Sequence, residues 1–274
     1  MPSHITFIGA GHMAQAIIRG LIHNGHPATE ITATATRDET LAPLAQQLGI
    51  NTTTDNNAAV ARADVVILSV KPQGLAAVCA SIKDDIQQKQ PLVMSVAAGI
   101  RCEAIERWLG DGISVIRTMP NTPSLLGRGA AGLYANDKVD EKQRSIAAEI
   151  MQAVGIIEWV EEESLLSAIT AIAGSAPAYF YYMVESLENA GVDQGLPRES
   201  ARRLAIQTAL GAAEMCTLGE DDPATLKRKV MSPKGTTEQA IFALERGGFE
   251  ALVKTACDAC AQRAEELAEQ LDTP

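Results

Sequence analysis

The chain has 274 residues, of which 46% are hydrophobic and 21% are charged. These proportions are typical of a folded globular protein and exclude disordered, collagen-like and coiled-coil chains. Its 23 Lys and Arg against 34 Asp and Glu give a formal charge of −11, so we expect neither nucleic acid nor an anionic membrane as a partner. No basic segment precedes the first apolar run, and the five Cys are scattered, so we expect a cytoplasmic protein without a secretory signal.

Short apolar or β-branched runs alternate with helix-like stretches in the first part of the chain. The predicted strands are residues 5–8, 31–36, 65–70, 92–96, 114–117, 131–134 and 156–160. The predicted helices between them are residues 13–21, 40–48, 73–86 and 101–109. This alternation predicts an α/β fold with a doubly wound, parallel sheet that helices cover on both faces.

No strand pattern follows Val160. Long segments with helical apolar periodicity take its place, separated by Gly and Pro, at residues 165–172, 177–190, 198–216, 233–245 and 249–271. We therefore predict two domains, an α/β domain over residues 1–162 and an all-helical domain over residues 163–274.

The stretch over residues 164–184 carries no charge and is nearly long enough to cross a bilayer. Gly174 and Pro177 interrupt it, which favours two buried helices over a membrane span. The helix after Pro177 is apolar or aromatic nearly all round, including Phe180, Tyr181 and Tyr182. Because a helix of this kind is buried on every side, we expect a second subunit to pack against it in a homodimer; a monomeric bundle is the alternative.

A glycine-rich sequence follows the first predicted strand directly and reads Gly9-Ala10-Gly11-His12-Met13-Ala14. It has the G-x-G-x-x-A form in which the small residues allow a tight turn, close approach of a pyrophosphate, and close packing of the next helix. The free N–H groups of that helix would face the phosphates. This pattern predicts a dinucleotide site.

The end of the second strand bears on the choice between NAD and NADP. It reads Ala35-Thr36-Arg37-Asp38, so that an arginine comes before the acid that usually binds the ribose of NAD. A guanidinium here can pair with a 2′-phosphate or stack on adenine. We expect NADPH as the cofactor, with NADH as the alternative that Asp38 would favour.

The four His all lie in the first 26 residues, so the helical half contains no histidine for a proton relay or a zinc site. Cys257 and Cys260 form a lone CxxC within a helical pattern, which is more typical of packing than of redox chemistry or metal binding. We expect no metal.

Further motifs follow in order along the chain: Ser69-Val70-Lys71-Pro72, Ser95-Val96-Ala97-Ala98-Gly99, Arg117-Thr118-Met119-Pro120-Asn121-Thr122-Pro123, Gly174-Ser175-Ala176-Pro177-Ala178-Tyr179 and Val230-Met231-Ser232-Pro233-Lys234-Gly235-Thr236-Thr237. Together with the glycine-rich turn they resemble pyrroline-5-carboxylate reductase over essentially the whole chain.

The resemblance implies a Rossmann domain, a helical dimerisation domain, and NAD(P)H-dependent reduction of the cyclic imine 1-pyrroline-5-carboxylate to L-proline. The cofactor residues that it implies are Gly9, Ala10, Gly11, His12, Met13, Thr36, Arg37, Asn56, Ser69, Val70, Lys71, Pro72, Ala97, Ala98 and Gly99.

For the substrate, the resemblance implies that Thr237 hydrogen-bonds the ring nitrogen as the catalytic residue. The other substrate residues are Ser232, Gly235, Thr236 and, at the domain junction, Glu163. Backbone N–H groups of Gly235, Thr236 and Thr237 at the start of a helix there would bind the substrate carboxylate. The alternative is an ordinary N-cap, in which Ser232 or Thr236 satisfies the free amides. No strong general acid is needed, because solvent can protonate the imine.

Three residues depart from the usual family pattern: His12 stands in place of Asn, Ala176 in place of Gly, and Lys234 in place of Gly. Lys234 is the departure that bears on the site, since lysine resists the left-handed backbone conformation that glycine adopts freely. It could also add a cation near the substrate carboxylate.

Two other functions stay open from the sequence alone. One is a related reductase that acts on a hydroxy acid or another small oxo compound. Such enzymes commonly use a lysine of the helical half as the acid, and Lys234 is the basic residue of that half that lies in the candidate site. A nucleotide-binding sensor without catalysis would bind NADPH but turn over no imine.

Overall fold

The structure, a computed structural model, describes residues 3–271. An eight-stranded sheet with the order β3-β2-β1-β4-β5-β6-β7-β8 lies in its N-terminal part. The strands are β1 (Ile5–Ile8), β2 (Ile31–Thr34), β3 (Asn51–Thr53), β4 (Val65–Leu68), β5 (Leu92–Ser95), β6 (Val115–Met119), β7 (Gly129–Ala135) and β8 (Gly155–Trp159). Neighbouring strands are parallel except for β6 and β7, which are antiparallel. The sheet is therefore mostly parallel, as the alternating pattern predicts.

The helices within residues 3–271 are α1 (His12–His23), α2 (Asp38–Leu48), α3 (Asn56–Val60), α4 (Pro72–Lys89), α5 (Cys102–Leu109), α6 (Glu141–Gln152), α7 (Leu165–Ile169), α8 (Ala176–Asp193), α9 (Arg198–Leu218), α10 (Pro223–Val230), α11 (Thr236–Arg246) and α12 (Phe249–Leu271). A π-helical turn over Thr170–Gly174 joins α7 to α8. The described chain after β8 contains helices and no strand, which confirms the all-helical prediction for that part.

Alternate residues of each central strand face two separate apolar cores. In β4, Val65 and Ile67 pack with α1, α2 and α6 on one side of the sheet. Val66 and Leu68 pack with α4 and α5 on the other side. A parallel strand buried on both faces needs this continuous apolar sequence, and the helices on the two faces leave the carboxyl ends of the strands free for a site.

Four elements are absent from the prediction: β3, α3, α6 and α10. The edge strand β3 consists of polar residues, so it has no apolar pattern by which it could be predicted. It is a strand because it pairs with β2. The helix α10 has no buried residue, yet Asp222 caps it and Pro223 stands at its start. The helix α6 begins with a capping box of Asp140 and Gln143. For both helices the capping residues were a usable sequence signal.

The chain forms two compact units. The first contains the sheet and continues to Ser175, and the C-terminal part of α12 from Ala259 belongs to it as well. The second consists of the helices over residues 176–258. The helix α7 belongs to the first unit because it packs on β7, where a Cβ added to Gly132 would clash with the Ile169 side chain. The division into two domains at residues 162–163 stays a prediction.

Within the helical unit, a buried carboxylate joins α8 to α9. Glu188 accepts hydrogen bonds from Arg202 at 2.7 Å and from Arg198 at 2.8 Å. These two guanidinium groups, Arg202 first, lower the pKa of Glu188 to about 2. Glu188 is therefore ionised at neutral pH and links the two helices.

The helix α8 is not covered by its own chain. Its buried residues are Ala176 and Glu188, whereas Phe180, Tyr181 and Tyr182 are 65% to 71% exposed. In a monomeric bundle, other helices of the same chain would cover these rings, but here the rings stay exposed. Among the described residues, no helix combines the length and apolar character needed to cross a membrane.

Candidate active site

The carboxyl ends of β1, β2 and β4 open into a cavity of about 480 Å³. Eight of the predicted cofactor residues line it: Gly9, Ala10, Gly11, Thr36, Asn56, Ser69, Val70 and Lys71. This is the edge of the sheet at which doubly wound folds bind their ligands. Thr34 and Thr54 line the same cavity and are absent from the prediction. Thr34 could have been found from its place at the end of a buried strand, where its hydroxyl accepts the Gly9 N–H at 3.4 Å.

The glycine-rich turn has the geometry that a pyrophosphate requires. Gly9 adopts a φ of 104°, and a Cβ added there would lie 2.8 Å from the Ser69 carbonyl oxygen. Gly11 is the N-cap of α1, and no side chain caps this helix. The first N–H groups of α1 therefore have no capping side chain as partner, and they fit the phosphates of a dinucleotide.

Ser69 connects the turn to the sheet. Its hydroxyl lies 2.8 Å from the Gly9 carbonyl oxygen and 3.1 Å from that of Ile8. The contact joins the end of β4 to the turn after β1. The Ser69 side chain thus holds the glycine-rich turn in place, in addition to lining the cavity.

The other predicted cofactor residues lie outside this lining. His12 and Met13 form the start of α1, and Pro72 begins α4 after Lys71 as its N-cap. Arg37 is exposed and is the N-cap of α2, with Asp38 and Glu39 in the first turn beside it. Ala97, Ala98 and Gly99 follow β5, and Gly99 has a φ of 76°.

The predicted substrate residues of the helical unit form one turn at the start of α11. The Gly235 N–H donates to the Ser232 carbonyl oxygen at 2.8 Å, and Gly235 is the N-cap without a side-chain cap. Neither Ser232 nor Thr236 caps the helix through its side chain, which is against the alternative of an ordinary side-chain N-cap. The N–H of Gly235 is already used in the turn, whereas the N–H groups of Thr236 and Thr237, in the first turn of α11, have no side-chain cap.

Lys234 occupies the left-handed position of this turn, with a φ of 60°. Its N–H donates to Glu238 Oε2 at 2.8 Å. Lysine thus adopts the conformation that it ordinarily resists. Ser232, Lys234 and Thr236 are exposed, and Thr237 is partly buried.

Glu163 lies in the unit that contains the sheet and already has partners there. Its Oε1 accepts the backbone N–H of Cys102 at 2.9 Å and the Arg117 guanidinium at 3.1 Å. Burial, followed by the charge of Glu163, raises the pKa of the Cys102 thiol, so this cysteine is a protonated packing residue. The contacts of Glu163 give it a role within the sheet-containing unit that the sequence did not indicate.

Two models of known protein families match this chain, one in its C-terminal part and one in its N-terminal part. The family model described as "Pyrroline-5-carboxylate reductase dimerisation" matches residues 163–267. The one described as "NADP oxidoreductase coenzyme F420-dependent" matches residues 4–99.

The most similar relatives match over nearly the full length. Pyrroline-5-carboxylate reductase of Pseudomonas aeruginosa is 49% identical, with 97% of each chain covered. The structure of a pyrroline-5-carboxylate reductase from Coxiella burnetii is 43% identical with a TM-score of 0.95, covering 97% of this chain and 99% of that one. The Plasmodium falciparum enzyme, whose structure has NADP bound, is 26% identical with a TM-score of 0.84, covering 97% of this chain and 98% of that one. The chain therefore belongs to the pyrroline-5-carboxylate reductase family of NAD(P)-dependent oxidoreductases.

Proposed function

We propose that Thr237 is the catalytic residue of this reductase and that the first turn of α11 binds the substrate carboxylate. The enzyme reduces 1-pyrroline-5-carboxylate to L-proline, the last step of proline biosynthesis. The observation that carries the assignment is the uncapped start of α11, which follows the turn of Ser232-Pro233-Lys234-Gly235 and places two threonines in its first positions.

The carboxylate needs donors, and the start of α11 supplies them. The N–H groups of Thr236 and Thr237 lie at the positive end of the helix dipole, where an anion is stabilised. The exposed Ser232 hydroxyl lies on the same turn and is a further donor. Binding there orients the ring, because the carboxylate and the ring nitrogen are attached to the same carbon.

The hydroxyl of Thr237 then holds the ring nitrogen. It accepts a hydrogen bond from the protonated imine, so the electrophilic form is favoured and its position is fixed. Solvent supplies the proton, which agrees with a helical unit that contains no histidine.

For the cofactor we propose NADPH. When bound, its reduced nicotinamide supplies the hydride. In this assignment Gly9 to Met13 surround the pyrophosphate, Thr36, Arg37 and Asn56 contact the adenosine part, and Ser69 to Pro72 and Ala97 to Gly99 approach the nicotinamide side. The exposed Arg37 guanidinium supports NADPH over NADH, because it can pair with a 2′-phosphate. The NADP bound to the Plasmodium falciparum enzyme supports the same choice.

We further propose that the enzyme is a cytoplasmic homodimer formed through its helical domain, with no nucleic acid or membrane as a partner. The dimerisation model over residues 163–267 and the exposed aromatic face of α8 support the homodimer. Five free cysteines support a reducing compartment. The charge of −11 supports the absence of anionic partners.

The experiment is to compare wild type with Thr237→Ala, following NADPH and NADH oxidation in parallel with the cyclic imine. We expect Thr237→Ala to lower kcat by about 100-fold, because it loses the group that holds the reacting nitrogen. Thr237→Ser, which keeps the hydroxyl, should recover most of the rate. Thr255→Ala is the matched control, because the Thr255 hydroxyl donates only to the Ala251 carbonyl of its own helix. An unchanged kcat in Thr237→Ala would contradict the catalytic assignment.

A further inference from the structure

The segment that joins β5 to α5, residues 96–101, contains the last three predicted cofactor residues, Ala97, Ala98 and Gly99. Ala97 and Ile100 are buried, whereas Ala98 is exposed. Gly99 lies against the end of α12: a Cβ added there would be 3.3 Å from Leu271 Cδ1. Apolar packing therefore fixes the part of this segment around Gly99. A second support is needed at the other end of the segment, where α5 begins.

The carboxylate of Glu163 supplies that second support. It reaches the segment from just before α7 and accepts the N–H of Cys102, the first residue of α5. The side chain of the N-cap residue, Arg101, makes no capping hydrogen bond of its own. Glu163 thus acts as an N-terminal cap supplied from 61 residues away in sequence.

The charge of Glu163 matters as well as its hydrogen bond. The negative carboxylate stands at the positive end of the α5 dipole and is paired with Arg117 on β6. The Arg117 side chain is 11% exposed and that of Glu163 is 21% exposed. A pair with this little solvent around it is costly to break, because loss of one partner leaves the other charge desolvated and uncompensated. The carboxylate therefore holds β6 and the start of α5 together.

We propose that Glu163 is a positioning residue that holds residues 97–99 in the conformation that receives the cofactor. It acts through the Cys102 backbone and the Arg117 guanidinium, and it does not need to touch the substrate. The inference rests on the proposed function, which assigns Ala97, Ala98 and Gly99 to the cofactor. It replaces the direct substrate contact that the sequence suggested for Glu163.

The test separates cofactor binding from substrate binding. The NADPH dissociation constant is measured by nucleotide fluorescence without the imine, and the KM for the imine is measured at saturating NADPH. For Glu163→Ala we expect NADPH binding to weaken roughly tenfold while the imine KM changes less than about twofold. Glu163→Gln keeps an oxygen that can accept both hydrogen bonds but loses the charge, so its effect on NADPH should be smaller, about threefold. Glu161→Gln, an exposed acid of the same run, is the matched control and should bind NADPH as wild type does.

Two results would overturn the proposal. One is an NADPH dissociation constant in both Glu163 variants equal to that of wild type. The other is a raised imine KM with unchanged NADPH binding, which is what a direct substrate ligand would produce. If Glu163→Ala does not fold, as judged by circular dichroism, Glu163→Gln decides by the same two readouts.

A separate variant distinguishes this inference from the proposed function. Ala98→Glu places a bulky negative group on the exposed part of the segment and should weaken NADPH binding if the segment faces the cofactor. Wild-type affinity in Ala98→Glu would refute the cofactor assignment of residues 97–99, and the role of Glu163 with it. Weakened binding in Ala98→Glu, with normal binding in both Glu163 variants, would refute the role of Glu163 alone.

Discussion

Lys234 adopts a left-handed conformation in the turn before α11, at a position where glycine is the favoured residue. The Gly235 N–H donates to the Ser232 carbonyl oxygen, Pro233 stands second in the turn, and Lys234 third has a φ of 60°. This arrangement matches a type II turn, whose third residue must have a positive φ. The residue is strained, and nothing in its own hydrogen bonds requires a lysine, because only the backbone N–H of Lys234 bonds to Glu238.

Lys234→Gly should make the protein more stable by about 1 kcal/mol, because relief of the strain exceeds the added flexibility of the unfolded chain. The stability of Lys234→Asn should lie between those of wild type and Lys234→Gly, since asparagine tolerates this conformation better than lysine does. Urea unfolding at one fixed protein concentration measures both changes. A less stable Lys234→Gly would mean that the lysine side chain makes a favourable contact that exceeds the strain.

Individual residues were predictable where their role depends on their own backbone. Gly9 could be recognised because its positive φ and the nearby Ser69 carbonyl leave no space for a Cβ. Glu163 could not be interpreted in the same way. Its partners, Cys102 and Arg117, lie 61 and 46 residues away, and no local pattern connects them.

At the scale of elements, two helical glycines have opposite surroundings. A Cβ on Gly20 of α1 would lie 2.5 Å from the Ala153 carbonyl oxygen and 2.6 Å from Val154 Cγ1, at the junction of α6 and β8. Gly74 of α4 has no heavy atom within 4 Å of such a Cβ. The close contact of α1 with the chain before β8 thus depends on one missing side chain.

Gly20→Ala should lower the free energy of unfolding by about 1–3 kcal/mol, because a backbone oxygen cannot retreat from the added methyl group. Gly74→Ala is the matched control and should raise it by up to about 1 kcal/mol through the higher helix propensity of alanine. Thermal or urea unfolding of the two variants beside wild type measures the difference. Equal effects of the two changes would show that α1 moves away from residue 153 at little cost.

Most elements were predictable because their apolar periodicity is strong. The strand β1 and the helix α12 begin and end at the predicted residues. Two of the elements that escaped prediction have no buried residue, namely the edge strand β3 and the helix α10. For such elements, pairing or capping replaces burial as the organising interaction.

At the scale of the whole molecule, the helical unit leaves apolar surface that its own chain does not cover. A groove of about 820 Å³ is lined by residues of α10, α11 and α12, among them Ile241, Leu244 and Phe249. The exposed rings of α8 add further apolar surface, and exposed apolar surface of this kind is typical of sites where a partner binds. The match to a dimerisation family agrees with burial of this surface between subunits.

Tyr182→Glu should shift the protein toward monomers, because it places a charge on a ring position that is 71% exposed in one chain. Sedimentation velocity over a range of protein concentrations measures the shift. The matched control is Lys142→Glu, which changes an exposed residue of the sheet-containing unit and should leave the mass of the wild-type assembly unchanged. A Tyr182→Glu assembly of wild-type mass would place the subunit interface away from this part of α8.

Local patterns in the sequence predicted the doubly wound sheet, the helical second half and the glycine-rich turn. These features follow from local sterics and from apolar periodicity, which act between residues close in the chain. The folded structure was needed to show that residues 233–235 belong to a turn and not to the predicted helix, that Glu188 joins Arg198 and Arg202, and that Glu163 caps α5 while pairing with Arg117. A polar side chain can satisfy its hydrogen bonds with many partners, and the folded backbone alone selects which of them come within reach.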